Sequence, residues 1–449
     1  MAGTLTIDGL ISGLKTSEII EKLVEVERAP IKRLEAKKTT YTERLTLLKT
    51  AATKLLNLKA SALNLSLSST FLAKKATVLG DALSVSIGGG AQEGTYILQV
   101  ESLAKAHQIA TSSAYTSTDV RFGEGRITVT VNGRTTEIAI GTTNNTLSGI
   151  RDAINRAGAG VRASIVKTQE GYRLLLASER TGVENAIGVT VELTGGEATI
   201  EGWTEIQAAQ NARILLGETN PVVYEGPTNV VVDFLPGMTL NLKDTGRVTV
   251  TVFRDFDAVK RSIVDFTNAL RDFLQFVKDN ASYSAETKVA GALLGETTLL
   301  RVTAELMKRL TSRVAPSGLQ SVMDLGISID RYGNLTVDEG KLTQVLETNL
   351  EGVQELFAGS RGVAKSLNEY LAFVTNPYEG MVTSAQKLYD KVIKDLDERI
   401  ALMEERLEAQ KVRWQKQFAA LESYLGTMQT QSNWLAQQIT NLSNLMRKS

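Results

Sequence analysis

The sequence predicts a multidomain α+β protein in which N- and C-terminal helices form a coiled-coil or helical-bundle stalk, with β-rich head domains inserted between them. Three observations carry this reading. From Trp414 the apolar positions run Trp414, Phe418, Leu421, Leu425, Met428, Leu435, Ile439, Leu442 and Met446, in steps of four and three interrupted at Ser432. Near the other end Ile31, Leu34, Tyr41, Leu45, Leu48, Ala52, Leu55 and Ala62 keep the same spacing, broken at Lys38 and near Lys59. Between Lys75 and Phe253 the period changes to two. A stripe at heptad spacing covers one side of a helix, and a lone helix cannot hide it from water. Each end therefore requires a partner helix, from the other end or from another chain.

Residues 1–15 carry apolar Leu5, Ile7, Leu10, Ile11 and Leu14 among glycines, without a sustained period. Thr16 or Ser17 can cap a helix through Glu27 whose face is Ile19, Ile20, Leu23, Val24 and Val26. Pro30 can begin the next helix, since the first helical position needs no amide hydrogen. No proline follows until Pro221, so that helix can run to about Leu67. Val78, Leu83, Val85 and Ile87 then lead into Gly88–Gly90, and Tyr96, Leu98 and Val100 alternate in the next strand. Ile127, Val129 and Val131 form a strand, Asn132-Gly133 a tight hairpin turn, and Ile138 and Ile140 the return. Thr146 caps a short helix carrying Leu147, Ile150 and Ile154, which ends at Gly158 and Gly160. Val161, Ala163 and Ile165 pair across Glu170-Gly171 with Tyr172, Leu174 and Leu176, completing a ββαββ module. Further strands lie near Val222–Val223, Val230–Val232, Leu240–Leu242 and Val248–Phe253. Helix returns at Asp257 with Val259, Ile263, Phe266, Leu270, Phe273 and Val277 in the four-three spacing. Helices with Leu299, Val302, Leu306 and Leu310, and with Leu342, Val345, Val353 and Leu356, surround a hairpin at Ile327–Val337. From Tyr378 onward there is no proline, and Leu388, Val392, Leu396, Ile400, Met403 and Leu407 feed the C-terminal stripe.

Composition narrows the function. Lys plus Arg and Asp plus Glu number 50 each, so no global field recruits nucleic acid or an acidic membrane. The chain has no cysteine, which excludes disulfides, thiolate metal sites and cysteine nucleophiles. No apolar run approaches the roughly 18–20 residues of a membrane span, so membrane insertion is not expected. The first residues lack a basic region and a continuous apolar region, so no Sec signal is expected there.

The chemical motifs give no catalytic constellation. The single histidine, His107, lies on a polar stretch without a second ligand at metal spacing and reads as a surface residue. Gly88–Gly90 and Gly123-Glu124-Gly125 lack the Lys-Ser/Thr of a phosphate loop and read as turns. Asp330-Arg331-Tyr332-Gly333-Asn334 lacks the alternating carboxylates of a calcium loop and reads as a hairpin turn. Trp414, Phe418 and Tyr41 read as coiled-coil packing, and the charge-dense run Lys387–Arg413 as the solvated face of a long helix. No enzyme, cofactor or metal is expected.

Other residues carry a family resemblance. Gly9-Leu10-Ile11-Ser12-Gly13-Leu14-Lys15-Thr16, followed by Ile19-Ile20, Leu23, Glu27, Pro30 and Leu34, resembles the opening of the bacterial flagellar filament cap family, also called flagellar hook-associated protein 2. Gly94-Thr95-Tyr96 with Val100, Leu103 and Ala104 resembles that family's first head strand. Leu147-Ser148-Gly149-Ile150-Arg151-Asp152-Ala153-Ile154-Asn155 resembles the domain shared with flagellins and hook proteins. Leu325-Gly326-Ile327 with Asp330, Gly333, Leu335 and Asp338 resembles its C-terminal hairpin, and Leu421 through Trp434-Leu435-Ala436-Gln437-Gln438-Ile439 its final helix. Two positions depart from the pattern. Lys15 stands where an aspartate is expected, and Ala209-Gln210-Asn211-Ala212 replaces a more acidic version.

The resemblance implies terminal leg helices at 1–40 and 410–449, ordered on assembly, and a helical stalk domain with a hairpin at 41–72 and 258–409. It further implies a β-rich head domain at 73–120 and 204–257, and the inserted ββαββ head domain at 121–203. The legs would contact sister copies and flagellin through Leu10, Leu14, Ile20, Leu23, Leu34, Tyr41, Trp414, Phe418, Leu421, Leu425, Met428, Leu435, Ile439 and Leu442. The implied function is a ring-shaped homo-oligomeric cap, expected as a pentamer, at the distal end of the flagellum. It would promote folding and insertion of exported flagellin and prevent its loss, with adhesion to host surfaces a further role. Implied partners besides flagellin are the hook–filament junction proteins, an export chaperone and the export apparatus. The implied route out of the cell is the flagellar type III system, without a cleavable signal. A hook–filament junction protein or a type III secretion tip protein would share the terminal heptads. A muralytic enzyme would need a carboxylate or histidine constellation.

Overall fold

The computed structural model describes residues 13, 15–284, 289–314, 318–330 and 334–446. They form two compact units, one joining residues up to Ser68 with those from Lys260 onward, the other spanning Ser69–Val259. Two helices, α1 (Thr16–Glu27) and α2 (Ala29–Leu65), open the chain. Lys15 rather than Thr16 or Ser17 precedes the first turn of α1, because Thr16 is itself helical and buried; Lys15 provides no side-chain cap and pairs with Glu18 at 2.6 Å. Only a bend separates the two helices. The Arg28 amide still reaches the Val24 carbonyl at 2.9 Å, and Pro30, lacking an amide hydrogen, is accommodated in the first turn of α2. The buried face of α2 is Ile31, Leu45, Leu48, Ala51, Leu55, Leu58, Ala62 and Leu65. Ala51 takes the place expected of Ala52, and Leu58 fills the break near Lys59. A straight helix drifts by about 20° per heptad, so a strict seven-residue count slides off the true face.

The second unit holds two apolar cores. One lies on a five-stranded antiparallel sheet in the order Lys74–Leu79, Gly246–Arg254, Gly94–Ser102, Ala212–Leu216, Val222–Gly226, with a three-stranded sheet of Val230–Val232, Met238–Leu242 and Leu83–Ile87. Leu98, Val100, Ile214, Leu240, Val248 and Val250 fill it. The other core is built around α3 (Leu147–Ala157), where Ile127, Val129, Ile138, Ile140, Ile150, Ile154, Leu174 and Leu176 meet. Asn132 and Gly133 both adopt positive φ, 50° and 71°, the pair a two-residue hairpin of this hand demands. The Thr146 hydroxyl accepts the Gly149 amide at 3.0 Å, and Gly158 at φ 59° ends the helix in the left-handed region. Asn155 clamps α3 to the strand after it, donating to the Ala163 carbonyl at 2.9 Å and accepting its amide at 2.8 Å.

The two hairpins of the ββαββ module lie in different sheets. Glu124–Val131 and Arg134–Ile140 pair with Gly188–Thr194; Val161–Thr168 and Gly171–Thr181 pair with Ala106–Thr111 and Trp203–Gln207. Two sequence expectations are corrected here. Gly123-Glu124-Gly125 opens a strand rather than a turn. A Cβ on Gly125 would stand 2.0 Å from the Glu192 carbonyl oxygen, so the closeness of the paired strand excludes any side chain. His107 is buried rather than on the surface, at 8% exposure, because its strand is paired on both sides. Its Nδ1 accepts the Ile187 amide at 2.8 Å, which leaves the proton on Nε2 to donate to Glu205 Oε1 at 3.0 Å. At the departure around 209–212, Asn211 accepts the Val183 amide at 2.9 Å and donates to Glu225 at 3.0 Å. An aspartate there would repel Glu225.

Helix α4 (Phe256–Ala281), which lies in the first unit from Lys260 onward, buries Val259, Ile263, Phe266, Leu270, Phe273 and Val277, and α5 (Thr297–Leu310) of the first unit buries Leu299, Val302, Leu306 and Leu310. A hairpin of Ile327–Ile329 and Leu335–Val337 leads to α6 (Glu339–Thr348), α7 (Leu350–Ala358), α8 (Val363–Val374) and α9 (Met381–Met446). The family-like motif at this hairpin has a local cause. Asp324 accepts the amides of Ser321 and Gln320, which with its other partners hold its carboxyl below the usual range. Gly326 turns at φ 86°, and Asp338 caps α6 through the Lys341 amide at 3.0 Å. Arg331, Tyr332 and Gly333 lie outside the described residues. Replacing Leu270 with Ala should lower the unfolding free energy of the helical unit by about 2–5 kcal/mol in denaturant titration. His107→Ala, which strands the buried Ile187 amide, should cost the β unit about 1–3 kcal/mol, read as earlier loss of its near-UV signal.

Candidate assembly surface

The residues singled out on the terminal helices gather on α1, α2 and α9, which pack together within one unit. Helix α9 runs antiparallel to α2. Lys38 meets Asp397 at 2.5 Å, Arg28 approaches Glu404 at 3.7 Å, and Gln386 donates to the Leu48 carbonyl at 3.2 Å. These ion pairs are largely solvated and add little, so the register is set by apolar packing of the Leu45–Leu65 face. The rings of Tyr41 and Tyr389 meet with centroids 5.7 Å apart, tilted by 45°. The Tyr389 hydroxyl donates to Glu296 Oε2 at 2.8 Å while Glu296 Oε1 accepts the Thr298 amide, so one carboxylate caps α5 and ties it to α9. Burial, then the bond to Glu296, raises the Tyr389 pKa. At the α1–α2 bend a shallow hollow is lined by Glu27, Ile31, Met403, Arg406, Leu407 and Gln410.

The selected residues are less covered toward the end of α9. Ile20 is buried, and Leu34, Tyr41, Trp414, Phe418 and Leu425 are half-buried. Leu23 is exposed at 38%, and on α9 Leu421 (42%), Met428 (44%), Leu435 (54%) and Ile439 (64%) are exposed, with half-buried Leu425 between the first two. Leu10 and Leu14 lie outside the described residues, as does the side chain of Leu442. Leu388 does not belong to the packed stripe. It is 62% exposed, because the face of α9 turned to α2 is carried there by Val382, Gln386 and Tyr389. Periodic reading also passed over Trp434, exposed beside Leu435; its one available signal is a large aromatic standing out of register. The helix itself is continuous to Met446, so what is lacking at its end among the described residues is cover rather than secondary structure.

Among the described residues no group of three or more His, Cys, Asp or Glu could hold a metal ion, and no helix is long and apolar enough to cross a membrane. The candidate site is the exposed apolar surface at the end of α9, and what such a surface offers is apolar area for burial.

Comparison with known proteins gives consistent matches at both ends. Residues 12–107 match the family model described as flagellar hook-associated protein 2 N-terminus, and residues 209–430 the corresponding C-terminus. Residues 126–179, which hold the two hairpins around α3, match the flagellin hook IN motif. The chain is 29% identical to the flagellar hook-associated protein 2 of Escherichia coli K12, covering 97% of this chain and 98% of that one. It is 27% identical to the B-type flagellar hook-associated protein 2 of Pseudomonas aeruginosa, over 96% of each. The crystal structure of the D1-D2-D3 domains of the flagellar cap protein FliD from Escherichia coli superposes with a TM-score of 0.62 at 30% identity, covering 76% of this chain and 99% of that one.

Removing the exposed end of the stripe tests what it does for the lone subunit. Leu435→Ala and Ile439→Ala should each shift subunit stability by less than about 0.5 kcal/mol. Leu48→Ala, in the packed part, should cost about 2–5 kcal/mol in the same thermal unfolding assay.

Proposed function

The chain belongs to the flagellar hook-associated protein 2 family and is a flagellar filament cap protein; from that premise we propose that its terminal helices are the legs by which the cap assembles and handles flagellin. The observation that carries the leg assignment is the stripe of α9 in which Leu421, Met428, Leu435 and Ile439 stand exposed among the described residues, continuing a helix that is packed further back. Burying exposed apolar area is worth about 25 cal/mol per Å², so a row of such side chains drives association once matching surfaces meet.

In this reading the leg helices are residues 1–40 and 410–449, the stalk 41–72 with 258–409, and the head 73–257 with its insertion at 121–203. Copies form a ring whose plate is made by the heads, five copies being the expected number. The legs touch newly arrived flagellin, hold it while it folds, and release it into the growing end. Export proceeds through the flagellar type III apparatus with a chaperone shielding the terminal helix, and the base of the filament is met through hook–filament junction proteins. A chain free of cysteine suits threading followed by residence in an oxidising exterior. The hook–filament junction reading recedes, because hook-associated protein 2 models match both the N- and C-terminal portions.

Deleting residues 1–40 and 410–449 together should leave a soluble core that no longer supports filament growth, scored by electron microscopy of filaments in a strain expressing only the truncated chain. Normal filaments from that strain would contradict the leg assignment.

A further inference from the structure

Beyond Glu422 the character of α9 changes. The run Lys387–Glu422 is dense in charge, whereas residues 423–446 contain no Asp, Glu, Lys or Arg at all. This neutral stretch is wholly helical and extends for roughly 35 Å. Its polar groups are hydroxyls and amides. The hydroxyls of Thr427, Thr430 and Thr440 donate back to the carbonyls of Ser423, Gly426 and Ala436 at 3.1, 2.8 and 2.8 Å, so they need no water to be satisfied.

A one-sided coiled coil does not require this. Its outer face stays in water, where Lys and Glu are the ordinary occupants, as they are earlier in this same helix. A charge-free circumference is needed where every side of the helix leaves water, since an unpaired charge would then be costly to bury. The placement of Trp434 agrees. Trp434 and Leu435 are exposed at 59% and 54%, and consecutive residues point about 100° apart on a helix. Together they widen the apolar face beyond the narrow seam of a two-helix coil.

We propose that residues 423–446 are enclosed on all sides by the same segment of sister copies, so that the apparently polar face of α9 is also an interface. The inference rests on the cap reading above and goes further by naming the occupant and the face. A neutral surface carries no like-charge repulsion between identical copies, so the segment is complementary to itself. Its amides provide the hydrogen bonds that fix register among them.

The natural chain has no cysteine, so each single-cysteine variant carries one thiol. Leu435→Cys places it on the apolar stripe, and Gln437→Cys about 160° around the helix. Maleimide labelling of the full-length chain is followed at dilution and at concentrations where rings form. Both thiols should label at least about tenfold more slowly in the assembled state, reporting burial rather than fraying. Oxidation should link Gln437→Cys chains covalently to one another. If only the Leu435→Cys thiol slows, the helix pairs on one side; this inference falls and the leg assignment stands. If neither slows, both fall. If Gln437→Cys slows only after flagellin is added, the occupant is flagellin and the sister-copy assignment is overturned. As a check independent of the thiols, Gln437→Lys should reduce ring formation about tenfold while Gln437→Asn leaves it unchanged, because only the former buries a charge. Equal assembly of both would also overturn the inference.

Discussion

The constraint on which the rest depends is a mismatch of lengths: among the described residues, α9 carries an apolar stripe longer than the helices packed against it. From Val382 to about Phe418 the stripe is met by α2, α5, α8 and α1, and the packing there resembles any helical domain. Past Glu422 the same stripe goes on, half-buried at Leu425 and then exposed at Met428, Leu435 and Ile439. Propensity and internal hydrogen bonds keep a proline-free helix extended, but they do nothing to cover its side chains. An exposed apolar end of this kind is the feature on which the proposed assembly through the legs rests.

The β unit serves this arrangement as an insertion between α2 and α4. Its two cores are self-sufficient, with Ile214 and Val248 fully buried in one and Ile127 and Ile150 in the other. Polar ties such as Asn155 to Ala163 and Asn211 to Val183 and Glu225 fix how strands and helix meet inside the unit. These are bonds to backbone or to one partner carboxylate, each satisfied, so they specify geometry without leaving a buried group in want of water.

How much of this was legible in the sequence followed from how local each cause is. The Asn132-Gly133 turn and the Thr146 cap were readable, because a turn that needs two positive φ values and a cap that reaches three residues ahead are written in neighbouring residues. The α4 face was readable because its period holds over several turns. His107 was not: its strand is polar in sequence, and the partners that bury it, Ser178, Ile187 and Glu205, arrive from far along the chain. Gly125 failed for the same reason, its constraint being a carbonyl at Glu192 on the paired strand. Ala52 and Leu388 failed through drift of a strict heptad against the true helical pitch. For the assembly surface, the stripe itself was legible, and the point at which cover gives out among the described residues was not, since that depends on where α1 begins and how α1 follows into α2 at Arg28.

The central claim, that the end of α9 is covered only by assembly, is tested most directly by amide hydrogen exchange along that helix in dilute subunits and in assembled caps. The account predicts that amides of residues 423–441 exchange at least about a hundredfold more slowly on assembly, while those of the buried half of α2 change little. Equal exchange at 423–441 in both states would contradict it.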